Sequence, residues 1–315
     1  MATTLGTIVS HDADFPCCPV CGTHDWKLVH EGNIRDGAFG QSRISRVGRC
    51  QGCGVDRLAE SACLKAESYS TEDYRTKLKQ DHVPEHHFNI TDELVRFTLD
   101  AIWPRSLRGK CIADVGCAGG SLLDHLHGVA KKLLAIEPAL LFSASLQARG
   151  YEWFPSLEEA ASVHCGKVDL VFSAQVIEHV DNPRAFLTQI AALLSIDGIA
   201  VISTPNRRDI LMEILPNVFP SFFYRVQHRW AFDAASLSSC AEIAGLEVAE
   251  VRHVHRYGIG NAMYWLRDKE ARGRTTFEPF DSAMDKHWQA WLESSGRADN
   301  LYLILRKPIR NSDKP

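Results

Sequence analysis

The sequence predicts an α/β fold built on a doubly wound, seven-stranded, mostly parallel β-sheet, with a small cysteine-rich module at the N-terminus. Two observations carry this expectation. From Lys110 onward, short β-like apolar runs alternate with helical stretches, the pattern of βαβ units that cover a parallel sheet on both faces. Ahead of that alternation, residues 17–58 hold five of the ten cysteines. A segment with so few long apolar runs needs a staple to fold.

Composition agrees. The chain has 315 residues, 45% of them hydrophobic and 23% charged, as in an ordinary globular protein with one large and one small domain. The net charge of -4 gives no general attraction to nucleic acid or to an anionic membrane surface. Residues 1–58 balance six Lys/Arg against six Asp/Glu, which is no phosphate-backbone signature. No apolar run approaches the roughly 20 residues that span a bilayer. The N-terminal segment lacks the basic and apolar regions of a secretory signal. Ten cysteines without such a signal point to a cytoplasmic, reducing location and to metal ligation over disulfides.

Residues 1–16 read as a flexible lead-in. Cys18-Pro-Val-Cys21-Gly22 and Cys50-Gln-Gly-Cys53-Gly54 are paired C-x-x-C knuckles, each followed by Gly. Two thiolates so spaced can turn onto one ion, and the Gly relieves the tight backbone. The 28 residues between Cys21 and Cys50 leave room for a β-hairpin. Cys18, Cys21, Cys50 and Cys53 therefore read as ligands of a closed, structural Zn²⁺ site over residues 17–58, with no chemistry at the metal. Cys17 leaves the register ambiguous, and Cys18 is preferred because Pro19 follows it. Buried free thiols, an iron–sulfur site or a redox pair are the other readings. Cys63, Cys111, Cys117, Cys165 and Cys240 are scattered and read as small core or near-core residues.

Residues 59–105 read as a helical connector or cap. Phe88, Leu94, Val95, Phe97, Leu99 and Ile102 fit helical spacing, and Pro104 and Gly109 close the run. The main domain spans 106–315. Strands are expected at Cys111–Val115, Lys132–Ile136, Glu152–Phe154, Val168–Ser173, Gly198–Ser203, Leu246–Val251 and Leu301–Leu305. Helices are expected at Ser121–Leu126, Leu140–Arg149, Pro183–Leu194 and Ala235–Ala244. Residues 206–232 and 255–298 interrupt the alternation and read as lids or substrate-binding insertions.

Ile112-Ala113-Asp114-Val115-Gly116-Cys117-Ala118-Gly119-Gly120-Ser121 is a strand entering a Gly-rich turn that opens a helix. Small residues there admit close ligand approach, and the helix start offers free N–H groups. The spacing of Gly116, Ala118 and Gly120 after an acid resembles motif I of class I S-adenosylmethionine-dependent methyltransferases. Ala118 stands where that family usually has Gly, an exchange compatible with a negative φ. Leu133-Leu-Ala-Ile-Glu137 resembles the second strand and its acid. Asp169-Leu-Val-Phe-Ser-Ala-Gln-Val-Ile-Glu-His-Val180 resembles the fourth strand and its turn, and Gly198–Asn206 the fifth. The match runs over roughly 108–252, and the resemblance makes the last strand antiparallel. The module is similar to zinc ribbons found ahead of several methyltransferase domains.

The resemblance implies roles. The backbone of Gly116, Cys117, Ala118 and Gly120 would pack against the methionine and ribose part of the cofactor, and Asp114 would orient the loop or bind the cofactor amine through water. Glu137 would accept the ribose hydroxyls. Ser156 and Leu157 would line the adenine pocket, and Ser173, Ala174 and Gln175 the methionine moiety. The reaction would be an in-line attack on the sulfonium methyl, accelerated mainly by alignment. His179 is a candidate general base for a hydroxyl acceptor, although a structural role for Glu178 and His179 in the turn leads. His228, with Arg229 and Trp230, is the alternative. His255, Arg256 and Tyr257 would bind an acidic or phosphorylated acceptor, or form a solvated basic loop. Asn261, Tyr264 and Trp265 fit a helix with an aromatic face that stacks on sugars or fills core.

His228-Arg-Trp-Ala-Phe and Asn261-Ala-Met-Tyr-Trp-Leu resemble stretches of methyltransferases of sugar pathways. The expectation is methyl transfer to a small-molecule or glycan acceptor, at oxygen ahead of carbon or nitrogen. The alternatives are an RNA methyltransferase using the ribbon, a non-catalytic cofactor-binding assembly protein, and an NAD-dependent enzyme, since an acid at position 137 also suits NAD.

Overall fold

Strand and helix alternate where the apolar runs place them. A computed structural model describes residues 12–37, 41–65, 68, 71, 84–102 and 106–308. In chain order the elements are β1 (Trp26–Arg35), β2 (Ser42–Cys50), β3 (Asp56–Leu58), α1 (Pro84–Asp100), β4 (Cys111–Val115), α2 (Ser121–Leu126), β5 (Lys132–Ile136), α3 (Ser143–Ala148), β6 (Glu152–Phe154), α4 (Leu157–His164), β7 (Val168–Ala174), α5 (Pro183–Leu193), β8 (Leu194–Pro205), α6 (Ile210–Ile214), α7 (Pro220–Phe223), β9 (Trp230–Ala231), α8 (Ala234–Ile243), β10 (Glu247–Val254), α9 (Ile259–Asp268), α10 (Ser282–Ser294) and β11 (Asn300–Arg306).

The main sheet has seven strands in the order β10-β11-β8-β7-β4-β5-β6. β11, the last strand, runs antiparallel to both neighbours, and the other pairs are parallel. Alternate residues of each strand serve different cores. Ile112, Leu170, Phe172 and Val201 face one cluster with Val95, Ala101 and Ile102 of the cap segment. Ala113, Val171 and Ala200 face the other. That period of two is why both faces of the sheet need helices. No helix among the described residues is long and apolar enough to cross a membrane.

A second sheet, β1-β2-β3-β9, holds the expected hairpin as β1 and β2. Its fourth strand comes from the main domain: Asp56 pairs with Ala231 and Arg57 with Trp230. Asp56 is fully buried and ties the two parts together. Its carboxylate accepts from Arg49 at 2.6 and 3.0 Å, from Tyr224 Oη at 3.0 Å, and from Arg207. Arg207 also reaches Asp233 at 2.6 Å. Phe15, Trp26 and Val55 of the module belong to the same apolar cluster as Trp230, Phe232 and Leu237. The module therefore shares its core with the main domain.

Several expectations change. Residues 12–16 are not a loose lead-in: Phe15 is fully buried beside Trp26, and Asp12 and Asp14 pair with Arg46 at 2.8 and 2.6 Å. Residues 1–11, most of 66–83 and 103–105 with Pro104 lie outside the described residues. The helix expected over Leu140–Arg149 splits into a 3₁₀ turn, Leu140–Phe142, and α3. Ser143 Oγ donates to Leu140 O at 2.7 Å, a local bond that competes with the helical ladder. β8 starts at Leu194, where α5 was expected to end, because Leu194 pairs with Val168 across an irregular register. Helix α4 was not expected at all. Its signal was the Ser156-x-x-Glu159 spacing, since Ser156 Oγ accepts from Glu159 N at 3.2 Å. Cys165 follows that helix and is exposed, not near-core.

Candidate functional site

The two knuckles bring Cys18, Cys21, Cys50 and Cys53 together, with all four sulfurs within 4.8 Å of one another. Cys18 and Cys53 sulfurs are 3.7 Å apart, and Cys21 and Cys50 sulfurs 3.4 Å. Four sulfurs bonded tetrahedrally to one zinc at about 2.3 Å stand roughly 3.8 Å apart, so the donor set fits that ion. Cys17 is exposed and outside the cluster. Gly22 and Gly54 have φ of +80° and +77°, and their N–H groups close each turn onto Cys18 O and Cys50 O. A Cβ on Gly52 would stand 2.7 Å from Cys21 Sγ. Hydrogen bonds from Cys18 and then Cys53 hold the Cys50 thiol down, while the bond to Cys50 pushes Cys18 up. Four such sulfurs could serve a divalent cation as thiolates.

Asp114 and Glu137 stand at the ends of the adjacent parallel strands β4 and β5, and both are buried. Burial, and then the Glu137 carboxylate, push Asp114 up to about 7. Glu137 Oε2 accepts from Ala118 N at 2.8 Å and Oε1 from Ala139 N at 2.9 Å. Gly116 has φ +75°, and a Cβ there would meet Val176 Cγ2 at 2.4 Å. Gly120 has φ +84°, with Leu146 Cδ2 at 2.6 Å from such a Cβ. Cys117 is buried in the cluster beneath α2 and α3, where burial pushes its thiol well up. Ala118 departs from expectation: its φ is +46°, not negative. The residue is turned left-handed, and its N–H reaches Glu137.

Ala174 and Gln175 end β7 on the same edge. Gln175 also has a positive φ, +59°. Its side chain donates to Asn300 Oδ1 at 2.9 Å and Ser203 Oγ at 3.4 Å. Apart from Lys269, a helix C-cap, Ala118 and Gln175 are the non-glycine residues with positive φ among the described residues. Strained backbone of this kind gathers at functional edges. Ser156 is committed to capping α4, and Leu157 is buried.

Glu178, His179 and His228 form a second cluster, with potential ligand atoms within 4.8 Å. Glu178 is fully buried. Its Oε2 accepts from Thr204 Oγ1 at 3.0 Å, its backbone carbonyl accepts from Trp230 N, and burial pushes its carboxyl up to about 7. His179 Nδ1 faces Gln227 O at 2.6 Å. A carbonyl only accepts, so Nδ1 carries the hydrogen and Nε2 keeps its lone pair. Burial lowers His179 to about 4, so the ring is neutral. His228 packs edge-on at 4.8 Å between centroids. Its Nδ1 accepts from Arg225 Nε at 3.2 Å, which puts the hydrogen on Nε2. Both residues thus hold the turn, and of the two it is His179 whose neutral ring carries its basic lone pair on Nε2.

His255 and Arg256 are no solvated loop. His255 is buried, its Nδ1 accepts from Asp299 N at 3.1 Å, and Arg256 Nε pairs with Asp299 at 2.7 Å. They border a cavity of about 710 Å³ with Arg96, Arg252, His253 and Arg274. Arg229 belongs instead to the module seam, pairing with Asp181 at 2.9 Å and Glu60 at 3.3 Å. Trp230 Nε1 donates to Val180 O at 2.7 Å. Trp265 is buried against Phe219 and Phe222, and Asn261 is buried too, so that helix face fills core. Asn300, Thr204, Arg225 and Arg35 escaped the sequence. They are brought in by antiparallel pairing, by an insertion or, for Arg35, by an isolated parallel bridge to Arg225, and none of these leaves a local motif.

Comparison with known proteins gives one family. A family model described as "Methyltransferase domain" matches residues 87–251. A ubiquinone biosynthesis O-methyltransferase from Psychrobacter arcticus is 30% identical over 178 residues, covering 51% of this chain and 67% of that protein. The same enzyme from Thiobacillus denitrificans is 29% identical over 160 residues, covering 46% and 68%. A solved SAM-dependent methyltransferase from Thermotoga maritima has 15% identity and a TM-score of 0.47, covering 70% of this chain and 91% of that one. With the motifs in order along one seven-stranded sheet, the chain belongs to the methyltransferase-domain family and is a class I S-adenosylmethionine-dependent methyltransferase.

Proposed function

We propose that the protein methylates an oxygen of a small-molecule or glycan acceptor, using an N-terminal ribbon, residues 17–58, stapled by Zn²⁺ at Cys18, Cys21, Cys50 and Cys53. The methyltransferase body spans 106–315, behind a connector at 59–105. The observation that carries the cofactor reading is the pair of buried acids, Asp114 and Glu137, at neighbouring strand ends. A carboxyl forced up to about 7 by burial suits a ligand that brings positive charge and hydroxyl donors. Asp114, Gly116, Cys117, Ala118, Gly120 and Glu137 would hold that ligand. Ala174 and Gln175 would border its methionine end, and Ser156 and Leu157 its base.

S-adenosylmethionine, when bound, supplies a methyl already activated on sulfonium. The chain's own work is alignment and proton handling. His179 Nε2, unprotonated and oriented by Gln227 O, would accept the proton of an acceptor hydroxyl. His228, with its hydrogen on Nε2, would donate a hydrogen bond. Relatives named as O-methyltransferases of ubiquinone biosynthesis support oxygen as the attacked atom and a small molecule as the acceptor. Calorimetry with S-adenosylhomocysteine and with NAD tests the reading. Binding of the first alone is expected, and retention of NAD alone overturns it.

A further inference from the structure

Residues 224–231 lie between the ribbon and the turn that carries His179, and they are bonded to both. On the turn side, three consecutive residues are engaged. Glu178 O accepts from Trp230 N at 3.1 Å, His179 Nδ1 faces Gln227 O at 2.6 Å, and Val180 O accepts from Trp230 Nε1 at 2.7 Å. On the ribbon side, Arg35 N donates to Tyr224 O and Val226 N to Arg35 O, each at 3.0 Å, and Leu58 N donates to Arg229 O at 2.9 Å. Asp56 pairs with Ala231 and Arg57 with Trp230 across β3 and β9, and Tyr224 Oη donates to Asp56 at 3.0 Å. Ile34, Val47 and Leu58 of the ribbon share one buried cluster with Tyr224, Val226 and Ala231.

The segment has little regular structure of its own. Helix α7 ends at Phe223, and β9 is two residues long. A strand that short does not hold its shape without partners. Its course is set by what flanks it, and on the ribbon side that is β3 and the end of β1. The second knuckle fixes β3 in turn. Cys53 stands three residues ahead of Asp56. Cys50 N donates to Val55 O at 2.9 Å, and Arg207 donates to Gly54 O at 2.7 Å as well as to Asp56.

An imidazole can carry its hydrogen on either nitrogen, and the partner of one nitrogen decides which. A base of this kind needs a further group to orient it. Here that group is a backbone carbonyl, Gln227 O, inside the clamped segment. We propose that the ribbon positions the base: through β3, Asp56 and Tyr224 it holds Gln227 O against His179 Nδ1 and so keeps the ring's lone pair on Nε2. Asp56 and Tyr224 act through Gln227, as positioning residues. The inference rests on the reading of His179 as the group that accepts the acceptor's proton. A ribbon that lost its cysteine staple would leave the cofactor edge at β4 and β5 standing while the base lost its orientation.

The test is ¹⁵N NMR of the histidine rings in the full zinc-containing chain with S-adenosylhomocysteine, His179 being assigned by the signals that His179→Gln removes. Wild type is expected to show the Nδ1–H tautomer alone. Asp56→Asn retains all four cysteines and should retain zinc, but it weakens the hold on Tyr224 and Arg207. It is expected to shift the two His179 nitrogens toward a mixed-tautomer average and to speed hydrogen exchange of the Trp230 amide roughly tenfold or more. S-adenosylhomocysteine affinity should hold. Cys18→Ser with Cys53→Ser, which removes the staple, should produce a larger shift of the same sign. A His179 ring that stays wholly Nδ1–H in both variants overturns the proposal, whether or not the seam has opened. So does a tautomer change that comes only with loss of S-adenosylhomocysteine binding, since that marks general unfolding. Failure of S-adenosylhomocysteine to bind wild type would bring down the methyl-transfer reading, and the ring signals of the unloaded protein would still decide the coupling.

Discussion

The Ala118 N–H donates to Glu137 Oε2 across 2.8 Å, from a backbone turned to φ +46°. One bond thus joins the Gly-rich turn after β4 to the acid at the end of β5, and it holds the turn in a conformation that an L-residue resists. The cost of that conformation is roughly 1–2 kcal/mol for a residue with a Cβ.

Ala118→Gly should therefore keep or slightly raise stability, although Gly ordinarily costs about 0.5–1 kcal/mol in unfolded-state entropy. Ala118→Val should lose more than about 1 kcal/mol, since a β-branched residue fits that region worst. Urea unfolding of the apoprotein measures both. A marked loss in the Gly variant would contradict the left-handed turn.

Glu137→Ala removes the acceptor of two backbone N–H groups as well as the proposed ribose contact. Hydrogen bonds to a charged group are worth about 1.5–3 kcal/mol each, so S-adenosylhomocysteine affinity should drop at least tenfold. Gly116→Arg should abolish it, because even a Cβ there meets Val176 at 2.4 Å. Unaltered calorimetric affinity in both variants would move the pocket elsewhere.

Cys18→Ser with Cys53→Ser should strip one equivalent of zinc, read by elemental analysis. The ribbon should then become protease-sensitive while the seven-stranded sheet persists. Because β3 pairs with β9 and Asp56 binds Arg207, the loosening should extend to residues 224–231. Full zinc content in the double variant would exclude this ligand set.

Glu178 sets a pH signature. Its folded carboxyl is raised to about 7 from an ordinary 4.5, so the folded state binds its proton more tightly than the unfolded chain does. Its contribution is present below pH 4.5 and is lost as pH rises toward 7. Glu178→Gln should accordingly gain stability over wild type at pH 8, by up to roughly 3 kcal/mol, and little at pH 4. Chemical denaturation at the two pH values decides it, and an equal difference at both would exclude an ionising Glu178.

His179→Ala should lower kcat by roughly 10²–10⁴, the usual range for a general base, with S-adenosylhomocysteine affinity retained. Because burial lowers this imidazole to about 4, its protonation should not depress the wild-type rate between pH 6 and 8. A rate loss in His228→Ala that exceeds the loss in His179→Ala would exchange their roles.

Much of this was legible in the sequence because it is local. Strand β4 and helix α2 fall on the residues whose period and Gly-rich junction announced them. The two knuckles needed only their own spacing and a following Gly. Family motifs run along consecutive residues for the same reason: a strand, its turn and the next helix form one contiguous ligand edge.

What the tertiary structure decided are the pairings between segments distant in the chain. Nothing near Ala118 foretold its positive φ, because the partner that draws it there is Glu137, 19 residues away. Composition hid the shared ribbon sheet, since β9 is two residues long and contributes no periodicity. Arg35 looked like an ordinary hairpin residue until the chain near Arg225 folded back onto it. A linear sequence states each residue's propensities and its short-range partners. Which buried charge meets which, and which backbone must bend to allow it, follows only when packing brings remote segments into one low-dielectric space.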